Sequence, residues 1–168
     1  MMAIAIHCGL LRILITDKYD AFIEQIAPAA IAACNKYGLY PSVCIAQTCI
    51  ESSWGDNAIA TYNLWVRKAV DGDNYVTLPT KEQLEDGSYI TIMADFKVYQ
   101  SFEEGFEDYC ILLTEEPRYI PPLIFIGKDY ESYVRAMAAV YATEKKYADM
   151  ILDTVYANNL RRFDGDTN

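Results

Sequence analysis

Glu51 and Glu82 are the residues of this chain best placed to do acid–base chemistry, each because of what surrounds it. Glu51 falls in the run Ile50-Glu51-Ser52-Ser53-Trp54-Gly55, in the last turn of a helix that Pro41 opens. The carboxyl end of a helix carries partial negative charge, which disfavours a carboxylate and favours the protonated acid. Trp54 close by is expected to add desolvation in the same direction. A carboxylic acid kept neutral near its working pH is what a general acid requires. The plain alternative is a solvated glutamate at a helix end. Glu82 falls with Val76, Leu78, Thr80 and Leu84 on the more apolar face of a strand. A charge there either lines a cleft or marks a break in phase near Pro79. Two carboxylates facing each other across a cleft between a helical lobe and a β-lobe is the arrangement of glycoside hydrolysis.

Composition narrows the other possibilities. The chain has 168 residues, 52% of them hydrophobic, enough for one domain with a real core. Subtracting 24 Asp and Glu from 14 Lys and Arg leaves −10, a charge that repels nucleic acid and anionic lipid headgroups. His7 is the single histidine, so no zinc site of the H-E-x-x-H kind can be built and no metal or cofactor is expected. A Ser–His or Cys–His nucleophile would depend on His7 alone. The five cysteines (Cys8, Cys34, Cys44, Cys49, Cys110) include no C-x-x-C pair and read as buried reduced thiols. Residues 1–18 open with a mostly apolar run, Met1 to Ile15, that is interrupted by Arg12, too short to span a membrane and without the marks of a secretory signal. They read as an N-terminal segment of unknown role, and residues 165–168 as a tail.

The elements that must position the two glutamates follow from periodicity. Phe22, Ile26, Ala29, Ala30 and Ala33 predict a helix over Asp20–Lys36, stopped by Gly38 and bent or opened at Pro28. Val43, Ala46 and Ile50 predict the helix from Pro41, closed by Trp54-Gly55. A hairpin is expected from Tyr75–Leu84 and Tyr89–Tyr99 about an Asp86-Gly87 turn, with Ile90, Ile92, Ala94, Phe96 and Val98 on its buried face. Ser101 and Glu104 form a capping box for a helix through Phe106, Tyr109 and Leu113. Further helices are predicted over Tyr130–Tyr141 and, capped by Thr143, through Tyr147, Ile151 and Val155. The class is α+β, a mostly helical lobe with a small β-hairpin lobe.

With these residues in view, the chain resembles the autolysin-type endo-β-N-acetylglucosaminidases of glycoside hydrolase family 73, which include flagellar and phage peptidoglycan hydrolases. The matching segments run in order: F-I-E-Q-I-A-P at Phe22, P-S-V-C-I-A-Q-T-C-I-E-S-S-W-G at Pro41 and N-L-W at Asn63. T-K-E at Thr80, F-K-V-Y-Q-S-F-E-E-G-F-E-D-Y at Phe96, P-R-Y at Pro117 and Y-A-T-E-K-K-Y-A at Tyr141 follow, and N-N-L near Asn159 closes the series. It covers Tyr19 to Asp164, taken as one catalytic domain over 19–164. The resemblance implies a lysozyme-like fold, Glu51 as general acid, Glu82 as the acidic residue of the β-lobe and Tyr141 as a cleft-lining catalytic tyrosine. It implies Trp54, Asn63 and Trp65 as substrate-binding residues. The family usually reads N-L-F-G-I-K where this chain has N-L-W-V-R-K, so Val66 stands in place of a glycine. It usually reads G-Y-A-T-D where this chain has Val140 and Glu144.

The expected activity is hydrolysis of bacterial cell-wall glycan at the β-1,4 bond between N-acetylglucosamine and N-acetylmuramic acid. Water attacks with help from Glu82 or from the substrate's own acetamido group. The rivals are a muramidase or lytic transglycosylase on the same fold, and a non-catalytic saccharide-binding module. Action outside the cytoplasm is implied, and with no wall-binding repeat or basic tail, delivery by another protein chain is expected.

Overall fold

A computed structural model of the chain describes residues 2–84 and 86–165, without the side chains of 2–17 and of Gln83. The side chains of His7 and Cys8, and tail residues 166–168, therefore lie outside the described residues. The order is α1 (Met2–Tyr37), α2 (Pro41–Glu51), β1 (Tyr75–Gln83), β2 (Tyr89–Lys97), α3 (Phe102–Glu115), α4 (Tyr130–Tyr141) and α5 (Tyr147–Ala157). Short 3₁₀ turns cover Pro117–Tyr119, Pro121–Phe125 and Leu160–Phe163. Among the described residues no helix is long and apolar enough to cross a membrane.

Helix α2 is the hub of the core. Every residue from Pro41 to Cys49 is buried, and α1, α3, α4 and α5 contribute to the same apolar cluster. Pro41 starts the helix, where a missing N–H costs nothing. Asp164, four residues after the last 3₁₀ turn begins, reaches back to this start. Its carboxylate accepts from the Ser42 N–H and hydroxyl at 2.7 Å each and pairs with Arg161 at 2.9 Å. The site's main helix is thus fixed at its amino end by the last described turn.

Two helix boundaries differ from expectation. α1 starts at Met2 rather than near Asp20, so the N-terminal segment and the first predicted helix are one element. Its alanines, leucines and isoleucines are helix-compatible, and no turn signal separates them from Tyr19. Pro28 lies inside it, and Gly38 ends it at φ +70° with the Leu39 N–H on the Cys34 carbonyl at 2.9 Å. α5 starts at Tyr147, with Lys146 and not Thr143 at its cap position and no side-chain cap bond. The Ser101 capping box forms as read. Ser101 Oγ accepts from Glu104 N at 3.3 Å while Glu104 reaches back to Gln100 N at 2.6 Å.

The hairpin is antiparallel, with Val76 opposite Phe96, Leu78 opposite Ala94, Thr80 opposite Ile92 and Glu82 opposite Ile90. Asp86 closes its turn by accepting from the N–H and hydroxyl of Ser88. The predicted phase is right, but burial decays along the strand: Phe96 is 2% exposed and Ile90 42%. The tip therefore runs past the packed base, and β2 ends at Lys97. The base is anchored. Asp108 of α3 takes Arg67 at 3.1 Å, Lys97 at 3.0 Å and the Tyr99 hydroxyl at 2.7 Å, and Lys97 also pairs with Asp73. Burial alone would raise the Asp108 carboxyl, but these bonds and the Arg67 charge outweigh it and hold it below its ordinary value.

Candidate active site

Glu51 is the last residue of α2 and is half-buried. The motif that follows it is a built turn. Ser52 Oγ donates to Thr48 O at 2.7 Å and accepts from Gly55 N at 2.9 Å, while Trp54 N bonds back to Cys49 O at 2.8 Å. Ser53 and Trp54 take left-handed φ of +51° and +59°, a strain of roughly 1–2 kcal/mol per non-glycine residue. Gly55 at φ +87° is obligatory, since a Cβ there would sit 2.7 Å from the Phe22 ring of α1. The turn carries the chain away from the Glu51 carboxyl and leaves it open at the helix end.

Behind that carboxyl stands a line of polar groups in an otherwise apolar interior. Tyr147, first residue of α5, donates its hydroxyl to Glu51 Oε1 at 2.5 Å. Gln47, one turn earlier on α2, donates Nε2 to the Tyr147 oxygen at 3.4 Å and accepts from the Tyr109 hydroxyl of α3. Glu51 Oε2 has no partner among the described residues. Burial and the bond to Glu51 push the Tyr147 phenol upward, so it stays protonated and remains a donor. Tyr141 lies parallel to Tyr147, ring centroids 5.8 Å apart. Burial first, and then the Glu51 charge, push its phenol upward as well. The Tyr141 hydroxyl has no hydrogen-bond partner among the described residues.

The other expected residues divide. Glu82 is on the predicted face, with Oε1 bound to the exposed Lys68 at 2.6 Å. No contact among the described residues joins it to Glu51, Tyr141 or Tyr147. Trp54, expected beside the Glu51 carboxyl, instead stacks on Tyr19 of α1 at 4.2 Å. It lines a surface cavity of about 520 Å³ with Lys18, Phe22 and Phe102. Asn63, expected to bind substrate, is fully buried. Its amide donates to the Arg67 and Lys97 carbonyls and accepts from Arg67 N, each at 2.9 Å, so it fixes the hairpin base to the preceding loop. Trp65 is likewise 6% exposed, stacked on Tyr109 and edge-on to Phe106. Its indole N–H is buried without a partner among the described residues. Both placements have one cause: the N-L-W segment packs inward, against the hairpin base and α3.

Tyr147 and Gln47 escaped the sequence reading as site residues. The signals were present: Gln47 sits four before Glu51, on the same helix face, and Tyr147 closes the Y-A-T-E-K-K-Y segment. Cys34, Cys44, Cys49 and Cys110 are buried free thiols, as read. The sulfurs of Cys34, Cys44 and Cys110 lie within 4.8 Å of one another, a set that could hold a soft metal ion, enclosed in the core.

Residues 27–160 match the family described as Glucosaminidase, Mannosyl-glycoprotein endo-beta-N-acetylglucosaminidase. The chain belongs to that family. A probable N-acetylmuramidase of Lactococcus lactis subsp. lactis is 33% identical over 158 residues, covering 89% of this chain and 36% of the relative. The exo-glucosaminidase LytG of Bacillus subtilis is 30% identical over 154 residues, covering 88% of this chain and 54% of the relative. The crystal structure of the catalytic domain of the autolysin Auto from Listeria monocytogenes superposes with a TM-score of 0.77 at 32% identity, covering 88% of each chain. The lysozyme-like α+β class expected from the sequence is therefore the observed one. This chain spans a third to about half of the length of those two curated relatives.

Proposed function

We propose that this glucosaminidase-family chain hydrolyses bacterial cell-wall glycan at the β-1,4 bond after N-acetylglucosamine, with Glu51 as the general acid. The observation that carries the reading is the Tyr147 bond to Glu51 Oε1. It fixes the carboxyl from behind and leaves Oε2 as the oxygen that gives a proton to the departing sugar oxygen. As that bond breaks, positive charge grows on the anomeric carbon and water adds to it. Glu82 activates the water, or the substrate's acetamido oxygen attacks first and water then opens the ring it forms. Tyr141 lines the cleft beside the reacting sugar, and the half-buried Trp54 offers a further sugar contact. The substrate implies action outside the cytoplasm.

Purified cell walls in a zymogram, followed by mass spectrometry of the released fragments, test the proposal. Clearing with new N-acetylglucosamine ends is the expected result. Ends of N-acetylmuramic acid or its anhydro form would instead support the muramidase or transglycosylase reading, which the name of the Lactococcus relative favours. Binding without clearing would make the chain a saccharide-binding module.

A further inference from the structure

In a chain with a net charge of −10, cations that find no carboxylate are places able to receive an anion from outside. Most described lysines and arginines are spent in ion pairs. Arg118 and Lys145 are in none among the described residues, and both line the same groove of about 720 Å³, between the Pro117–Tyr119 turn, α4 and the loop into α5. Arg118 is laid over the Tyr119 ring, its guanidinium carbon 4.8 Å from the ring centre. Arg135 of α4 joins the lining with one nitrogen 3.0 Å from Asp149. The carboxylate in the lining, Glu144, is turned to the backbone N–H of Lys146 at 3.0 Å. Alanines of α4 and α5 leave the floor open. Tyr141 also lines the groove, and its ring stacks on Tyr147, the donor to Glu51. The groove that holds the cations therefore reaches a residue one ring away from the donor to the candidate acid.

From this juxtaposition we propose that the groove receives a carboxylate of the peptide side chains carried by cell-wall glycan. The enzyme then prefers peptide-bearing strands to stripped ones. The inference rests on the reading of the chain as a cell-wall glycosidase. Peptides branch from alternate sugars of that glycan and carry free carboxylates, and a branch beside the scissile bond leaves the cleft along Tyr141. A guanidinium grips a carboxylate through paired N–H groups, and Lys145 adds a point charge.

Kinetics on soluble glycan strands, with their peptides or stripped of them by an amidase, test this. The wild-type chain is expected to show a KM about tenfold lower on peptide-bearing strands, a gap that narrows as salt rises and shortens the Debye length. In R118Q/K145Q the KM on peptide-bearing strands rises to that on stripped ones. Lys128→Gln, which removes an exposed cation outside the groove, leaves the ratio as it was. Equal KM values in the wild type overturn the proposal. So does a double variant that keeps the preference, or one that loses both substrates alike. Should the wild type cleave neither strand, the glycosidase reading fails and calorimetry decides the groove separately. Tighter binding of peptide-bearing strands, lost in the double variant, upholds it, and equal binding refutes it.

Discussion

The two glutamates stand in opposite surroundings. Glu51 ends a helix buried along nine of its eleven residues, and Gln47 of that helix lines up behind it with Tyr147 and Tyr109 of two further helices. Glu82 stands near the free end of a two-stranded hairpin, held by a lysine that is itself 58% exposed. The difference separates two ways of placing a charge. One carboxyl is positioned locally, by packing and a short hydrogen bond. The other is positioned from a distance, through the hairpin base that Asn63 and Asp108 pin to the helical lobe. Proton donation needs the first kind, because a small misplacement of a catalytic group is costly in rate. Orienting a water, or stabilising a nearby charge, tolerates the second.

Substituting both carboxyls is the strongest way to break the comparison. Glu51→Gln keeps shape and hydrogen bonding but has no proton to give, so turnover on polymeric peptidoglycan should fall about 10²–10⁴-fold with melting temperature unchanged. Glu82→Gln falls as far if Glu82 activates water and clearly less if the acetamido group attacks. A folded Glu51→Gln with near wild-type turnover would refute the acid assignment.

Removing the distant anchor comes next. Asp108→Asn should cost roughly 2 kcal/mol, since it weakens bonds to two cations and a buried phenol. The sign of its pH dependence follows from a carboxyl held below its ordinary value. Its stabilisation is complete above the unfolded pKa of about 3.9 and is lost as pH falls through the lower folded value. Melting curves from pH 7 down to about 2 should therefore drop steeply in the wild type and less in the variant.

Tyr147→Phe sharpens the local side of the contrast. It removes one hydroxyl behind Glu51, and about a tenfold loss in kcat is expected, with the alkaline limb of the pH–rate profile, where a general acid loses its proton, displaced. A variant that only lowers the melting temperature and keeps the profile would make Tyr147 a packing residue. Tyr141→Phe should be milder still, because its hydroxyl holds no other group among the described residues. Val66 has φ +53°, a left-handed conformation that a β-branched residue adopts at a cost. Val66→Gly should gain about 1 kcal/mol by denaturant unfolding. The smallest effect is Lys68→Ala, which breaks an exposed ion pair and should leave the melting temperature where it was.

Local rules made much of this legible in the residues. Pro41, Gly38, the Ser101–Glu104 box and the Asp86-Gly87 turn are short-range devices, and each formed where its chemistry placed it. Val66, where the family usually has a glycine, takes a left-handed φ of +53° that a glycine adopts without strain. What escaped was non-local or lacked a marker. The start of α1 had no cap to announce it, and Thr143 offered a capping side chain that the chain does not use. Asn63 and Trp65 read as cleft residues because polar and aromatic side chains near a motif look alike, whether they face substrate or brace the wall behind it. Tyr147 could be recognised as a partner of Glu51 only once α5 was packed against α2.

The clasp between Asp164 and Ser42 bears on where this unit may be cut. The match to the family model ends at residue 160, yet the carboxylate that seats the amino end of α2 lies four positions later. A truncation at 160 would remove a buried anchor from the far end of the helix that carries Glu51. Modules meant for fusion or exchange should keep Asp164 and be joined after it, because the edge of a working fold is drawn by its last buried hydrogen bond.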